Sequence, residues 1–471
     1  MKLFEDMINS GKSSIFLLPE IALTPQMQKR LEERFKKRVI IWHSKLSKKK
    51  KEEFLEKIYR GEAMIVAGAR SALFLPLLNI GLIVVDEEHD ESYKSNSRPR
   101  YNAKDLAIYF AKEINAKVVL GSATPSLSSY FKYPFFRLKG SYFGSKKRFT
   151  FEHSESKITP LIVEKIDKVL KNSSQAIVFL PTRANFKYLI CKNCSKAVEC
   201  PYCSVGMSVH FDKNIMKCHY CGFAQKIPSL CPECKSFDLI SQRIGTSEVV
   251  KELKAKFPNA KIEKFDRDEI TTDRKLRKVL KDFNEKKIDI LVGTQMLSKG
   301  HDYHNISLAV VLGIDNILYT PDFKAKEKAV SLLFQIAGRS GRREEGEVVV
   351  QTLNENFFSK YIEDYELFLK EEINFRKNLY PPFMKLLRVI ISHKEDKKAF
   401  KKAREVFECL LRNKEREVEI VGFSPALIHK ILSKYRYNIL LRSKSPKALI
   451  KSAMKCKCGI CELDMDPLSF V

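Results

Sequence analysis

Long apolar stretches and a secretory leader are both missing from this sequence of 471 residues. Its longest apolar runs, such as residues 308–312, are too short to cross a bilayer, and residues 1–10 carry no apolar core or small-residue cleavage site. Glycine and proline are scarce, at 18 each, which excludes collagen-like, mucin-like and broadly disordered chains. We therefore expect a soluble, cytoplasmic protein of several globular domains.

Acidic side chains are in short supply relative to basic ones. Asp and Glu total 57 against 85 Lys and Arg, which gives a formal net charge of +28. A protein that acts on small neutral metabolites does not need such an excess, whereas polyanions attract it. Nucleic acid is the leading predicted partner, and an anionic membrane surface is the alternative.

Short apolar runs that alternate with helical stretches form two series along the chain. This alternation is typical of β-α units around a buried parallel sheet, so we predict an α/β fold with two lobes. The first series predicts strands at residues 15–20, 39–43, 63–70, 82–89 and 118–124. After a connector at residues 140–155, the second predicts strands at 176–183, 261–266, 289–295, 308–315 and 347–352.

The sequence divides into four parts. Residues 1–150 form the predicted first lobe and residues 151–357 the second, which holds a cysteine-rich insert at 188–241 without a strand-helix alternation of its own. Residues 358–471 follow a β-α-β-β-α-β order, which predicts a small α+β domain with a short strand at 418–421.

An acidic cluster directly follows the predicted strand that starts at residue 82. It consists of Asp86, Glu87, Glu88 and His89. Such clusters are usually solvated helix starts, but the carboxyl ends of buried parallel strands are where α/β sheets bind ligands. Nucleotide chemistry needs one carboxylate for Mg²⁺ and another to orient or deprotonate the attacking water. Asp86 and Glu87 fit these two roles.

Two further segments carry side chains suited to phosphates. Residues 121–126 end the next strand, and the hydroxyl groups of Ser122 and Thr124 can sense a neighbouring phosphate, although an ordinary capped turn has the same composition. Residues 335–342 place Gln335, Arg339 and Arg342 on one short stretch with two glycines. Arginines so placed can reach phosphates held by the opposite lobe, whereas a surface arginine pair is the simpler explanation for that segment alone.

These segments occur in the order of a known set of helicase motifs. The motifs are PEIALTPQ (19–26), GARSALFLP (68–76), DEEH (86–89), GSATPS (121–126), GTQMLSKGHD (293–302) and QIAGRSGR (335–342). From about residue 11 to its end the chain resembles the PriA family of primosomal replication-restart helicases. The resemblance implies two RecA-like helicase lobes that bind ATP with Mg²⁺.

The resemblance also implies roles for individual residues. The catalytic set, for binding Mg²⁺, activating water and contacting the γ-phosphate, comprises Asp86, Glu87, Glu88, His89, Gln335, Arg339 and Arg342. The residues expected to couple hydrolysis to movement or to lie near the nucleotide or strand are Ser122, Thr124, Thr294, Lys299 and Gly300.

Eight of the twelve cysteines form four C-x₂-C pairs inside the insert, at Cys191, Cys194, Cys200, Cys203, Cys218, Cys221, Cys231 and Cys234. Each pair can offer two thiolates, so the pattern predicts two closed, structural Cys₄ zinc sites, with iron-sulfur clusters as a minor alternative. Spacing does not fix the pairing. The resemblance suggests nesting, with the outer four cysteines on one ion and the inner four on the other.

The other four cysteines lie outside this pattern. Without an export signal the thiols are poor candidates for disulfides. Cys409 is predicted to be a core residue of a helix, and Cys456, Cys458 and Cys461 are predicted to be buried or strand-edge thiols.

The segment Gly11-Lys12-Ser13 superficially matches the end of a phosphate loop. A phosphate loop must follow a strand and open a helix, whereas this segment precedes the predicted strand at residue 15, so we reject that interpretation. By resemblance, residues 1–8 look like the rest of the helix that follows the family's phosphate loop. We therefore expect this sequence to be a shortened reading of a longer product.

The resemblance implies a function as an ATP-dependent 3′ to 5′ DNA helicase that restarts stalled replication forks and takes part in primosome assembly. The implied partners are forked or single-stranded DNA, other primosome and replication-restart proteins and single-stranded DNA-binding protein, with no membrane partner. The alternative hypothesis is a zinc-containing DNA-binding or scaffold protein that does not hydrolyse ATP, since the chain as given has no phosphate loop.

Overall fold

The computed structural model describes residues 1–19, 25–44, 46–138, 146–154, 157–181, 189–191, 193–194, 198–202, 207–210, 214–218, 223–241, 245–298, 303, 305–318, 320, 322–341, 345–457, 459 and 461–468. Structural statements below concern these residues. Among them, no helix combines the length and the apolar character that crossing a membrane would require.

Lobe 1 is built on a five-stranded parallel sheet of order β2-β3-β1-β4-β5. The strands are β1 (Ser13–Leu17), β2 (Val39–Trp42), β3 (Ile65–Gly68), β4 (Ile80–Val85) and β5 (Lys117–Leu120). Its helices are α1 (Lys2–Asn9), α2 (Pro25–Phe35), α3 (Lys48–Tyr59), α4 (Ala103–Glu113) and α5 (Leu127–Lys132), with 3₁₀ turns at Lys36–Arg38, Arg70–Phe74 and Glu91–Tyr93. The five predicted strands are confirmed.

Both faces of the lobe 1 sheet are covered, as apolar strands without polar alternation require. Ile15 and Leu17 of β1 pack on one face with Val85 of β4. Phe16 packs on the other face with Leu31 of α2. Because both faces are occupied, the carboxyl edge of the sheet is left for polar side chains.

Lobe 2 is built on a six-stranded parallel sheet of order β13-β14-β7-β15-β16-β6. Two strands precede the insert, β6 (Lys147–Glu152) and β7 (Gln175–Phe179). The insert contributes β8 (Leu189–Cys191), β9 (Ser208–His210), β10 (Ile215–Lys217), β11 (Ala224–Lys226) and β12 (Leu239–Ser241). The sheet resumes with β13 (Ile262–Phe265), β14 (Ile290–Gly293), β15 (Ile306–Val311) and β16 (Gly346–Gln351).

Apolar residues of several helices pack on the two faces of this sheet, and the structure describes eight helices in lobe 2 and in the segment that follows it. They are α6 (Pro160–Lys171), α7 (Thr246–Lys256), α8 (Asp273–Asn284), α9 (Gln295–Ser298), α10 (Asp315–Leu318), α11 (Ala325–Ala337), α12 (Glu355–Ser359) and α13 (Tyr365–Arg376).

Strand β6 corrects one expectation. The sequence analysis assigned residues 140–155 to a connector, but Lys147–Glu152 forms the edge strand of the lobe 2 sheet and pairs with β16 in parallel. Phe149 and Phe151 alternate with polar residues and pack against the lobe 2 core, which supplies the stabilisation that a connector would lack. The predicted lobe boundary at residue 150 therefore falls inside a strand of lobe 2.

The C-terminal domain has the predicted β-α-β-β-α-β order and an antiparallel sheet of order β18-β19-β17-β20. Its elements are β17 (Lys385–His393), α14 (Asp396–Asn413), β18 (Glu419–Ile431), β19 (Lys434–Ser443), α15 (Pro446–Lys455) and β20 (Cys461–Met465). Strand β18 runs ten residues past the predicted end at 421 and forms a long hairpin with β19. At its tip, Ser433 donates its N–H to Tyr202 O of the insert at 2.9 Å.

A disulfide joins two helices of the C-terminal domain. Cys409 of α14 is bonded to Cys456, which ends α15, with 5.6 Å between their Cα atoms. The expectation of free thiols is wrong for this pair, because the packing of α14 on α15 brings the two Cα atoms within the disulfide range. Cys461 is also disulfide-bonded, and Cys458 lies outside the described residues.

Candidate active site between the two lobes

Asp86 and Glu87 lie at the carboxyl edge of the lobe 1 sheet, directly after β4. The Asp86 backbone N–H donates to Leu17 O at 3.0 Å, and Tyr93 donates its hydroxyl to Asp86 O at 2.6 Å. A Cβ atom at Gly121 would lie 3.3 Å from Asp86 Oδ1, so glycine leaves room for this carboxylate at the end of β5. Burial raises the pKa of Asp86. A cation beside it would therefore be favourable.

Glu87 has a left-handed backbone, with φ of +46°. This conformation is strained for a residue other than glycine, and such strained residues cluster at functional sites. Glu87 Oε2 lies 3.6 Å from His89 Nδ1, and that nitrogen lies 2.7 Å from Ser122 Oγ. The acidic cluster and the hydroxyl segment are thus in direct contact, as their position on neighbouring strands predicts.

Glu88 is buried, and hydrogen-bond donors surround its carboxylate. Its carboxylate accepts Lys104 Nζ at 2.7 Å, the Ser126 N–H at 2.6 Å and the Ser129 hydroxyl at 2.7 Å. Burial alone would raise the pKa of Glu88, but the Lys104 charge and these hydrogen bonds outweigh burial and lower it. This arrangement suits a residue that positions the 121–126 segment better than one that contacts a substrate.

One face of α11 carries the contacts between the lobes. Glu327, Ser331 and Gln335 follow each other at intervals of four residues, so they share a helix face. Gln335 Nε2 lies 2.7 Å from His89 Nε2 and 3.3 Å from Thr124 Oγ1.

The other two residues on that face reach lobe 1 as well. Ser331 donates to Thr124 Oγ1 at 2.8 Å, and Glu327 accepts the Leu127 N–H at 2.9 Å. If Gln335 donates to His89 Nε2, the neutral imidazole carries its proton on Nδ1 and donates to Ser122. A continuous path of hydrogen bonds therefore runs from Ser122 through His89 to Gln335 of lobe 2, and Glu87 lies beside it, 3.6 Å from His89 Nδ1.

The other predicted site residues of lobe 2 are partly described. Thr294 is buried immediately after β14, and Arg339 is buried just after α11. Lys299, Gly300 and Arg342 lie outside the described residues.

Sequence reasoning missed Lys104, Glu327 and Ser331. For the two residues of α11, the four-residue spacing back from Gln335 was the available signal. No comparable signal marks Lys104, because its partner Glu88 lies 16 positions earlier in the chain.

Gly11, Lys12 and Ser13 lie at the opposite edge of the sheet. They join the end of α1 to β1, Ser13 is the first residue of that strand, and its hydroxyl donates to Leu78 O. Asp86 follows the carboxyl end of the neighbouring, parallel strand β4. A phosphate at Lys12 would therefore be separated from Asp86 by the length of β1.

Four thiols of the insert converge on a single point. The sulphur atoms of Cys191, Cys194, Cys231 and Cys234 all lie within 4.8 Å of one another. The Cys191–Cys234 and Cys194–Cys231 sulphur pairs are 3.5 and 3.7 Å apart, which matches the edge of a tetrahedron around zinc. A hydrogen bond from the Ser236 backbone, with other donors, lowers the pKa of Cys234 to about 6, which favours the thiolate. The donor set fits zinc.

These are the outer four cysteines of the nested arrangement that the resemblance implied. Of the inner four, Cys200 and Cys218 are buried in the small core of the insert. Cys203 and Cys221 lie outside the described residues.

Family models match each part of the chain. A DEAD/DEAH box helicase model covers residues 1–132, and a helicase conserved C-terminal domain covers residues 233–344. Fold and site thus define a two-lobed helicase. Two narrower models also match, the PriA DNA helicase Cys-rich region (CRR) domain at residues 200–226 and the primosomal protein N C-terminal domain at residues 376–468.

Relatives extend this match over nearly the whole chain. The replication restart protein PriA of Helicobacter pylori strain J99 is 49% identical over 468 residues, which are 98% of this chain and 75% of that protein. The corresponding protein of Bacillus subtilis strain 168 is 37% identical over 479 residues, 96% of this chain and 59% of that protein. The chain belongs to the PriA family of replication restart proteins. Among solved structures, the DUF1998 helicase MrfA bound to DNA gives a TM-score of 0.47 at 16% identity, covering 76% of this chain and 44% of that one.

Proposed function

We propose that these 471 residues form the body of an ATP-dependent DNA helicase that moves 3′ to 5′, restarts stalled replication forks and takes part in primosome assembly. The observation that carries this proposal is the hydrogen bond between His89, which lies beside Glu87 in lobe 1, and Gln335 in lobe 2. A motor needs such a path because chemistry at one lobe must be linked to movement of the other. The family and the net charge of +28 support DNA as the polymer along which the protein moves.

The proposed partners follow from this role. They are forked or single-stranded DNA, other primosome and replication-restart proteins and single-stranded DNA-binding protein. The proposed location is the cytoplasm. The insert is proposed to hold two structural zinc ions, one on the outer four cysteines and one on the inner four.

The residues at the interlobe cleft fit ATP hydrolysis with Mg²⁺. Carboxylate oxygens are preferred Mg²⁺ ligands, and Asp86 is proposed to supply one. When bound, Mg²⁺ would neutralise charge on the phosphates of ATP. Glu87 is proposed to orient and deprotonate the attacking water, and Arg339 and Arg342 are proposed to stabilise charge on the transferred phosphoryl group.

The remaining site residues are proposed to report nucleotide state. Ser122 and Thr124 contact His89 and the α11 face, so they are suited to coupling hydrolysis to movement. Thr294, Lys299 and Gly300 are proposed to lie near the strand or the nucleotide. Glu88 is proposed to position the 121–126 segment.

One sequence feature favours a second candidate function. The only Gly-Lys pair of the 471 residues is Gly11-Lys12, and it lies at the wrong edge of the sheet for phosphate binding. A zinc-containing DNA-binding scaffold without ATPase activity is therefore the alternative.

ATP hydrolysis distinguishes the two functions. We expect the 471-residue chain alone to show little DNA-stimulated hydrolysis, because preorganised phosphate donors contribute several kcal/mol. A chimera extended upstream with a strand and a phosphate loop of the form GxxxxGK(S/T) should hydrolyse ATP. In that chimera, Glu87→Gln should lower kcat at least about 100-fold and leave DNA binding unchanged, since an amide keeps the shape but cannot accept the water proton.

The matched control for this test is Glu113→Gln in the chimera, the same chemical change at an exposed residue of α4. It should retain full activity. An inactive chimera would favour the scaffold, and strong hydrolysis by the 471-residue chain would show that our rejection of Gly11-Lys12-Ser13 is wrong.

A further inference from the structure

The first turn of α5 receives two buried carboxylates from opposite sides. Glu88 of lobe 1 accepts the Ser126 N–H, and Glu327 of lobe 2 accepts the Leu127 N–H. The amino end of a helix favours negative charge, because its first N–H groups have no partners within the helix. The helix that follows the Ser122 and Thr124 segment is thus held by both lobes.

Each carboxylate has its own buried cation. Lys104 Nζ lies 2.7 Å from Glu88, and Arg376 Nη2 lies 2.6 Å from Glu327. Burial alone would raise the pKa of Glu327, but the Arg376 charge and the Leu127 N–H outweigh burial and lower it. Glu327 is therefore charged at neutral pH, and its charge is balanced on the lobe 2 side.

Arg376 is held from three directions. Its side chain is 1% exposed, its Nε donates to Glu372 at 3.0 Å, and its guanidinium lies 5.0 Å from the centroid of the Phe323 ring. A planar cation that is fixed on several sides has little freedom to follow a moving partner. Glu327 thereby acquires a fixed orientation relative to α13.

Apolar packing reinforces the same contact. The Leu127 side chain is fully buried among Val330 of α11 and the aromatic residues of α13, in a cluster with Tyr361, Tyr365, Phe368 and Leu369. Tyr365 also donates its hydroxyl to Pro125 O at 3.3 Å. The start of α5 therefore belongs to lobe 1 by sequence and packs into lobe 2.

We propose that Glu327, oriented by Arg376, is a positioning residue that fixes the start of α5, and with it Thr124, to the helix that carries Gln335. When lobe 2 moves, α11 pulls on the start of α5, and because Glu88 holds the same segment to lobe 1, the movement is transmitted to residues 121–126 beside Asp86 and Glu87. The structural part of this proposal stands on the contacts above. Its consequence for hydrolysis rests on the proposed function.

Amide hydrogen exchange tests the structural part without any need for ATPase activity. In the 471-residue chain, Glu327→Ala removes the acceptor of the Leu127 N–H, and exchange in peptides covering residues 122–132 should rise about tenfold, the effect of one lost hydrogen bond. Exchange in β1 and β4 should not change. The matched control is Glu363→Ala, which alters an exposed carboxylate just before α13 and should leave both regions as in the parent.

A double variant guards against simple loss of stability. All of these variants are made in a Glu372→Gln background, so that loss of Arg376 leaves no second buried carboxylate without its cation. In that background Glu327→Gln leaves Arg376 without a carboxylate and Arg376→Met leaves Glu327 without its cation, whereas the double variant removes both charges and keeps an amide oxygen for the Leu127 N–H. Each single change should raise exchange in residues 122–132 more than the two together. Unchanged exchange in Glu327→Ala, an equal rise in β1 and β4, or purely additive effects in the double variant would each overturn the proposal.

Kinetics in the hydrolysing chimera test the consequence. Glu327→Ala should lower DNA-stimulated kcat about tenfold while KM for ATP changes by less than about twofold, since the residue touches neither nucleotide nor water. The double variant Glu327→Gln/Arg376→Met should have a kcat much closer to that of the parent chimera than Glu327→Ala has. A rise in KM with unchanged kcat would contradict a positioning role. A chimera without any hydrolysis would refute the proposed function and leave the exchange result to decide the role of Glu327.

Discussion

At the residue scale, the interlobe cleft depends on a few ionised side chains from which water is excluded. Glu88 and Lys104 form one such pair within lobe 1, and its hydrogen bonds hold Ser126 and Ser129. A buried pair of this kind adds little net stability while it is intact, but the loss of one partner leaves an uncompensated charge in the interior. The pair therefore matters most for the geometry it imposes on the 121–126 segment.

Lys104→Met should lower the free energy of unfolding of lobe 1 by about 3 kcal/mol near pH 7, because Glu88 stays charged and buried without its cation. Denaturation followed by the fluorescence of Trp42, the sole tryptophan and a β2 residue, measures this loss. Lys112→Met, on the exposed side of the same helix, should change stability by less than about 0.5 kcal/mol.

The pH dependence of this loss has a defined sign. In the parent chain the pKa of Glu88 is lowered, so the pair stabilises the fold above the unfolded value of about 4.3 and its contribution disappears as the pH falls through the folded value. In Lys104→Met, burial without the cation raises that pKa, so the deficit should shrink between about pH 7 and about pH 5. A deficit that grows on acidification would show that Glu88 is not the group responsible.

At the scale of elements, the cysteine-rich insert is a small domain that the tip of the C-terminal hairpin contacts. Ile431 of β18 packs against its core, and Lys430 Nζ donates to Pro201 O at 3.2 Å. The described strands of the insert are three residues each, too short to form a stable core by themselves. Metal ligation and the hairpin contact therefore supply much of its stability.

Metal analysis should find two zinc ions per chain, and Cys231→Ser should remove one of them. Its sulphur is one of four that lie within 4.8 Å of one another, so a closed Cys₄ site cannot form without it. Cys461→Ser, a matched change outside the insert, should retain both ions. Two ions in Cys231→Ser, or iron and sulphide in the parent, would be incompatible with the predicted zinc sites.

Most strands and motifs could be predicted from the sequence because each is marked by residues that are close together in the chain. The apolar strands, the acidic cluster after β4 and the C-x₂-C pairs can all be recognised within short windows of sequence. Strand β6 was missed because an edge strand with polar alternation has the composition of a connector. The disulfide was missed because Cys409 and Cys456 are 47 positions apart in the sequence, and only the packing of α14 against α15 brings them together.

The same limit applies within the site. Asp86, Glu87 and Gln335 could be named as candidate site residues from motifs, whereas the partners of Glu88 and Glu327 could not be named. Lys104 and Arg376 lie 16 and 49 positions from these carboxylates, so only the folded chain brings each pair together.

At the scale of the whole molecule, the excess of positive charge determines how we expect the protein to bind DNA. Phosphate contacts by Lys and Arg release counterions and carry no base specificity. Affinity for a forked DNA should fall by about 100-fold between about 50 and about 200 mM salt, as about four phosphate contacts would give. A second fork of scrambled sequence serves as the control and should bind equally well. A flat salt response, or binding to one sequence only, would argue against this mode.

The contacts along α11 also restrict how the gene can change in length. Each residue advances an α-helix by about 100° and 1.5 Å, so a single codon gained or lost between Glu327 and Gln335 would turn one of these side chains away from lobe 1. No local adjustment can restore both contacts, because Glu327 meets Leu127 while Gln335 meets His89. Codons added between the exposed residues Arg416 and Glu417, in the turn before β18, would meet no such obstacle. Insertions or deletions within α11 should therefore break the contacts between the two lobes even where each lobe still folds.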